Sequence, residues 1–284
     1  MESNLKLGFV TCVKLGLSCM EEIYKNGYQL EIIVTLKDEI GKNKSGRIYV
    51  DEFAKKNSIQ VLKIKNVNEA VVINKLKELK IDWLFIIGWS QIAKKEILDA
   101  PNFGVIGMHP TLLPKGRGRA SIPWAIIKGL SKTGVSAFKL DEGVDTGPIV
   151  DQIEIELNDD ETATTLYSKV NDTHIALMKS VLEKIHNANF NMITQNDAEA
   201  TEWSGRKPED GELNFEMSVE EVDRLVRATT HPYPGAFIFE KDKKRVIWKG
   251  KIVETKINHV GEDNFLKFKD GYYEIVEYTD VDID

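Results

Sequence analysis

The 284-residue chain carries 38 basic against 45 acidic side chains, a net charge of -7 and the wrong sign for a protein whose whole surface grips nucleic acid. Hydrophobic residues at 42% and charged residues at 29% fit a soluble globular chain and exclude collagen-like, low-complexity and wholly disordered classes. No apolar run approaches the ~18 residues of a membrane span. Met1 to Asn4 offer neither the basic nor the apolar segment of a secretion signal, and Cys12 and Cys19 are the sole cysteines. The expectation is reduced thiols, a cytoplasmic location and no membrane association. The length suits one domain of roughly 200 residues with a smaller partner.

In chain order, Leu5 to Val13, Tyr28 to Leu36, Ile59 to Ile64, Trp83 to Ile87 and Phe103 to Met108 are apolar runs that predict buried strands. Leu15 to Lys25, Arg47 to Asn57 and Asn68 to Leu79 predict the helices between them, with Ser45 and Asn68 as N-caps. Such alternation predicts an α/β fold: an open, mostly parallel, Rossmann-like sheet with helices on both faces. Beyond a loop rich in Pro, Gly and Arg come a helix at Ile122 to Lys128 and strands at Gly134 to Leu140 and Ile149 to Ile155. A long helix over Glu161 to Ile185 carries Leu166, Val170, Leu177, Val181 and Ile185 as one apolar stripe. The texture changes near Gly205, where a polar stretch precedes a helix at Val219 to Thr229 and short strands. Phe265 to Phe268 and Tyr272 to Tyr278 flank Asp270-Gly271, the signal of a type I′ hairpin. We expect a first domain over 1–204 and a small β-rich second domain over 205–284, whose strands offer a surface for a homodimer.

A parallel sheet invites a dinucleotide reading, but the turn Thr11-Cys12-Val13-Lys14-Leu15-Gly16 lacks the glycines that admit a pyrophosphate. Gly41 to Gly46 approaches a P-loop, yet Arg47 and Ile48 stand where its Lys and its Ser or Thr belong. The five histidines are scattered and nothing has zinc-ligand spacing, so no metal is expected. His174 and His186, in or at the end of a helix, read as packing or surface residues.

The unusual stretch is Ile106-Gly107-Met108-His109-Pro110-Thr111-Leu112-Leu113-Pro114-Lys115-Gly116-Arg117-Gly118-Arg119-Ala120-Ser121. It begins at the end of a strand, and ligands of open α/β sheets bind beyond the carboxyl ends of strands. Downstream, Leu140-Asp141-Glu142-Gly143-Val144-Asp145-Thr146-Gly147-Pro148 also leaves a strand end. If the two strands are neighbours, Asp145 reaches His109 and orients it for general acid–base chemistry.

These two runs together resemble the signature of the folate-dependent formyltransferases, the family of the methionyl-tRNA, glycinamide ribonucleotide and sugar N-formyltransferases. The likeness extends from Leu5 through the long helix. It resumes at Arg206-Lys207-Pro208-Glu209-Asp210-Gly211 and His231-Pro232-Tyr233-Pro234-Gly235-Ala236-Phe237, which resemble the linker and small C-terminal domain of the tRNA and sugar enzymes. The resemblance implies the formyltransferase type of fold and transfer of a formyl group from N10-formyltetrahydrofolate to a primary amine. Catalysis then stabilises the oxygen of a tetrahedral species and moves a proton. In the family an Asn-x-His-Pro segment supplies an electrophilic Asn and His, and the downstream Asp holds the His and helps remove the amine proton. His109 and Asp145 match, but Gly107 stands in place of the Asn. Three explanations stay open: another donor (His109 itself, the Thr111 hydroxyl, Gln91 or a backbone N–H), different chemistry, or binding without turnover. We favour the first, because a decayed enzyme has no evident reason to keep the His and the Asp.

The resemblance further implies a pterin pocket along Gly88, Trp89, Ser90, Gln91 and Ile92, and along Leu140, Asp141, Glu142, Gly143 and Val144 before Asp145. Trp89 equally suits core packing. On the acceptor side, Arg117 and Arg119 suit a phosphate clamp, with Thr11, Lys14 and Thr111 as further contacts. The preferred acceptor is a nucleotide-linked amino sugar destined for a surface polysaccharide. Charged initiator tRNA is the main alternative, followed by a non-catalytic folate or nucleotide-sugar binding module and a formyltetrahydrofolate hydrolase. Glu240 to Lys256 holds seven Lys or Arg against three acids, but Ile257 to Asp284 holds eight acids against two lysines, a poor match to a phosphate backbone.

Overall fold

The computed structural model describes residues 5–42, 46–187, 190–253 and 264–283. The chain opens with β1 (Leu7–Val10), α1 (Lys14–Lys25), β2 (Leu30–Leu36), α2 (Asp38–Gly41), α3 (Asp51–Asn57), β3 (Gln60–Ile64), α4 (Ala70–Leu79), β4 (Trp83–Ile87), α5 (Lys95–Leu98) and β5 (Gly104–His109). It continues through β6 (Arg117–Gly118), α6 (Ser121–Ile127), β7 (Lys132–Lys139), β8 (Ile149–Glu156), α7 (Ala163–His186) and β9 (Glu202–Trp203). The last elements are α8 (Val219–Thr229), β10 (Ala236–Glu240), β11 (Lys243–Val253), β12 (Phe265–Lys267) and β13 (Tyr272–Asp282). Two compact units result: Met1–Gly118, Gly134–Ile155 and Lys169–Glu202 form one, and Arg119–Thr133, Glu156–Ser168 and Trp203–Asp284 the other. The second unit thus gathers two segments lying inside the 1–204 expected for the first domain.

A seven-stranded sheet in the order β3-β2-β1-β4-β5-β7-β8 organises the first unit, so the strand order reverses between β1 and β4. The pairs from β3 to β5 are parallel, as their β-branched runs predict for strands covered on both faces. Val10, Val34, Ile64, Leu84 and Ile86 pack into one buried cluster with Val72 and Leu76 of α4. Phe9 and Phe85 alternate with these and stack on each other on the opposite face, ring centres 5.9 Å apart. The stripe of α7 is buried throughout.

β7 departs from the parallel rule. It runs antiparallel to β5, with His109 opposite Ser136 and Ile106 opposite Lys139. Its carboxyl end therefore lies back beside the start of β5, where the Leu140 N–H donates to Val105 O at 2.8 Å. Helix starts also differ from the pattern. Arg47 lies outside any helix, because its guanidinium donates to Cys12 O, Leu36 O and Asp38, and α3 starts at Asp51. Ser45 falls outside the described residues. The N-cap of α4 is Glu69, while Asn68 uses its amide on Ile92 O and the Lys94 N–H.

In the second unit, the four-stranded sheet β10-β11-β13-β12 packs its inner face on α8. That helix has the span read from the sequence, and Ser218 and Glu221 close a capping box at its start. The β12–β13 hairpin pairs Lys267 with Tyr272, and the Phe268 N–H donates to Gly271 O at 3.0 Å, so its turn centres on Lys269-Asp270 rather than Asp270-Gly271. Neither Asp270 nor Gly271 takes a positive φ, which removes the type I′ turn. The Asp270 carboxylate instead accepts the Val219 N–H at 2.8 Å. No helix among the described residues is long and apolar enough to cross a membrane.

Candidate active site

Strands β1, β4 and β5 end side by side at the carboxyl edge of the sheet, around the reversal of strand order where open α/β sheets bind ligands. His109 is the last residue of β5 and only 7% exposed. Its Nε2 lies 2.8 Å from Gly116 O, and its Nδ1 lies 3.5 Å from Asp145 Oδ2. The same carboxylate oxygen accepts the Gly118 N–H at 2.9 Å. The His and Asp of the two motifs are therefore together, though not by the simplest route. Because β7 runs backward, the loop after it has to turn over and return toward His109. Gly147 makes that reversal possible: a Cβ there would lie 1.8 Å from Lys139 O. Asp145 itself sits at φ 55, a left-handed conformation that costs a non-glycine residue about 1 kcal/mol or more.

The loop behind His109 is fastened by residues that sequence motifs did not flag. Ser136 Oγ on β7 donates to Thr111 O at 2.6 Å and accepts the Leu113 N–H at 3.0 Å. Gln152 on β8 donates to Leu113 O and to Ser136 Oγ. Thr111 is buried at 2% exposure, and its hydroxyl has no hydrogen-bond partner. His174, on α7, is the packing residue its helical position suggested; burial drives its imidazole down to about 4, with its bond to Val170 O opposing and nearby His109 adding slightly.

Gly107 projects to the same side of β5 as His109, two residues away. A Cβ there would lie 2.7 Å from Leu140 Cδ2, so the Leu140 side chain occupies the space a larger residue would need. Gln91 is partly committed: its amide oxygen accepts the Val67 N–H and one of its two N–H groups donates to Lys65 O.

Of the expected cofactor segments, Gly88 to Ile92 follow β4 at the carboxyl edge of the sheet, and Leu140 to Val144 form the loop that leads from the end of β7 back to Asp145. Gly88 follows β4 with φ 66, Ser90 and Ile92 are exposed, and half-buried Trp89 and Leu140 pack on one cluster. The Trp89 Nε1–H is buried without a partner, an orphaned donor that suits an acceptor on a flat ring. Asp141, Glu142, Gly143 and Val144 are exposed, with Asp141 accepting from Gly143 N and Thr146 Oγ1.

Two acceptor contacts need correction. Thr11 is fully buried and its hydroxyl serves its own turn, accepting the Val13 N–H at 3.3 Å. Arg117 is 6% exposed and no free phosphate clamp: Nε and Nη2 donate to Gln195 Oε1, and Nη2 also to Asp197 at 2.7 Å. It is drawn inward because its N–H pairs with Thr201 O, bringing the chain after α7 alongside. Lys14 and Arg119 are exposed. No group of three or more His, Cys, Asp or Glu among the described residues could hold a metal ion.

Family models for formyl transferase and for the formyl transferase C-terminal domain match residues 20–182 and 206–276. The chain belongs to the folate-dependent formyltransferase family. This formyltransferase is 32% identical over 270 residues to a methionyl-tRNA formyltransferase of Acetivibrio thermocellus, covering 94% of this chain and 86% of the relative. Among solved structures it resembles an N-formyltransferase from Helicobacter canadensis in complex with folinic acid and dTDP-3-aminofucose. The TM-score is 0.73 at 21% identity, covering 97% of this chain and all of that one. WlaRD, a sugar 3N-formyl transferase solved in the presence of dTDP and 5-N-formyl-THF, gives a TM-score of 0.72 at 20% identity, over 97% of this chain and 98% of its own. At those identities the two structures speak for the fold. The family carries the reaction, formyl transfer from folate.

Proposed function

We propose that this formyltransferase delivers its formyl group to the primary amine of a nucleotide-linked amino sugar, with 1–204 as the transfer domain and 205–284 as a small C-terminal domain. The bound formyl-folate supplies the one-carbon unit. Asp145, kept at its place by the Gly118 N–H, takes up the proton released by the attacking amine and orients His109 through Nδ1. The donors available to the developing oxyanion are the unpartnered Thr111 hydroxyl, backbone N–H groups and the remaining Gln91 N–H, and His109 only once its Nε2–H leaves Gly116 O. Trp89 Nε1 and the exposed segment 141–144 serve the pterin, while exposed Lys14 remains as a cation for an anionic acceptor.

The observation that favours a sugar is the charge pattern of the second unit. Four of the five cations of β11 lie in register with acids of β13, Lys243 with Asp282, Arg245 with Asp280, Lys249 with Glu277 and Lys251 with Glu274, while Lys244 lies opposite Val281. Arg245 contacts Asp280 at 2.9 Å and Lys251 contacts Glu274 at 3.0 Å. A basic strand matched this way offers few uncompensated cations to a nucleic-acid backbone, whose binding rests on clustered charge. The sequence relatives favour the second reading, formylation of methionyl-tRNA. Incubation with N10-formyltetrahydrofolate and either nucleotide-linked amino sugars or charged initiator tRNA separates them. Tetrahydrofolate release that depends on a sugar is expected; release with tRNA alone would overturn the proposal, and formate release without acceptor would indicate a hydrolase.

A further inference from the structure

Asp145 holds a left-handed backbone conformation on a loop that doubles back along β7, and such a conformation persists only where surrounding groups impose it. The group that meets its main chain is Gln195, fifty residues downstream and 9% exposed. Gln195 Nε2 donates to Asp145 O at 2.8 Å and to Gly147 O at 2.7 Å, on either side of Thr146. Its Oε1 accepts both Arg117 Nε at 3.2 Å and Arg117 Nη2 at 2.8 Å. Both amide protons and the oxygen are thus used, and the guanidinium fixes which end of the amide faces the loop. The segment bearing Gln195 is itself anchored, because Ile193 and Ile149 exchange N–H to O bonds at 2.8 Å at the start of β8.

We propose that Gln195, oriented by Arg117, is a positioning residue that sets the Asp145 carboxylate against His109. The proposal rests on the reading of Asp145 and His109 as the proton-transfer pair. Gln195 spends its amide on two main-chain carbonyls and on Arg117. It acts on the backbone that carries the carboxylate, while Gly118, next to Arg117, binds the carboxylate itself. One buried amide thereby couples the His109 loop to the Asp145 loop. Arg117 contributes through this coupling rather than by meeting a substrate phosphate.

The decisive variant is Gln195→Glu. It keeps the size of the side chain and an oxygen for Arg117, but turns a second oxygen, in place of two N–H bonds, toward the carbonyls of Asp145 and Gly147. A residue needed only to partner Arg117 would tolerate it. Formyl transfer is measured with the acceptor that wild type uses, for Gln195→Glu and Gln195→Met, alone and combined with Asp145→Asn. Hydrogen exchange of the 140–148 peptide is followed by mass spectrometry in all the proteins. Both single variants are expected to lose about 10²-fold in kcat, the order of loss for a misplaced catalytic group, and to exchange faster over 140–148 with β1 to β4 unchanged. In the Asp145→Asn background the same change is expected to cost less than about twofold. Wild-type kcat and exchange in Gln195→Glu would overturn the proposal, as would an undiminished loss in the Asp145→Asn background. If no amine supports turnover in wild type, the acceptor reading fails, and exchange over 140–148 alone decides the role of Gln195.

Discussion

Gly107 supplies a perturbation whose cost follows from distances. In Gly107→Ala the new Cβ lies 2.7 Å from Leu140 Cδ2, 3.3 Å from Leu140 Cγ and 3.5 Å from Ile86 O. Apolar carbons rest about 3.5–4.0 Å apart, so Leu140 has to withdraw by roughly 1 Å. Its N–H is bound to Val105 O, which leaves the side chain to turn away from the position it fills. Overpacking a core costs typically 1–3 kcal/mol, and for half-buried Leu140 we expect the lower part of that range, about 1–2 kcal/mol. That corresponds to a melting temperature lower by roughly 2–8 °C for a unit of this size. Leu140→Ala removes the obstructing atoms, so Gly107→Ala is expected to cost almost nothing in that background, a coupling of about 1 kcal/mol or more. Thermal unfolding of the four proteins, by calorimetry and near-ultraviolet dichroism, measures the cycle. Equal losses from Gly107→Ala in both backgrounds would refute the assignment of Leu140 to that space. Gly107→Asn combined with Leu140→Ala then restores an amide beside His109 and is expected to exceed Leu140→Ala alone in kcat.

Arg117→Ala leaves Gln195 Oε1 buried without its donors, so it is expected to lower stability by about 1–3 kcal/mol in thermal unfolding; unchanged melting with a raised acceptor KM would restore the phosphate clamp. For His174, the folded imidazole titrates at about 4 against ~6.5 in the unfolded chain, so below 6.5 the unfolded state binds a proton that the folded state refuses. Stability is therefore lost as pH falls from 6.5 toward 4, by about 3 kcal/mol in all. His174→Met is expected to flatten melting temperature against pH across that window, and an unaltered slope would show that other groups carry the acid sensitivity.

Much of the framework is written locally. Trp83 to Ile87 and Val219 to Thr229 appear as the strand and helix their patterns describe, because apolar periodicity and a capping box act over a few residues. The direction of β7 is not local: periodicity carries no sense of orientation, and nothing in Gly134 to Leu140 tells that Ser136 faces His109. Arg117 stands in a Gly-rich loop and reads as exposed, yet Thr201, Gln195 and Asp197 draw it inward from far along the chain. Gln195 has no motif of its own. Its signal is the burial of a fully bonded amide, visible only in three dimensions. Asp270-Gly271 has the residues of a two-residue turn, but the Asp270 carboxylate is taken by the start of α8 and the turn centres one residue earlier.

The His109–Asp145 pair is tested most directly by a double-mutant cycle on single-turnover formyl transfer to the amine, comparing His109→Ala, Asp145→Asn and the combination. Each single change is expected to slow transfer by about 10²- to 10⁴-fold, with the combination little worse than either, as for groups that act as one unit. Wild-type-like transfer in His109→Ala, or losses that multiply in the double variant, would contradict it.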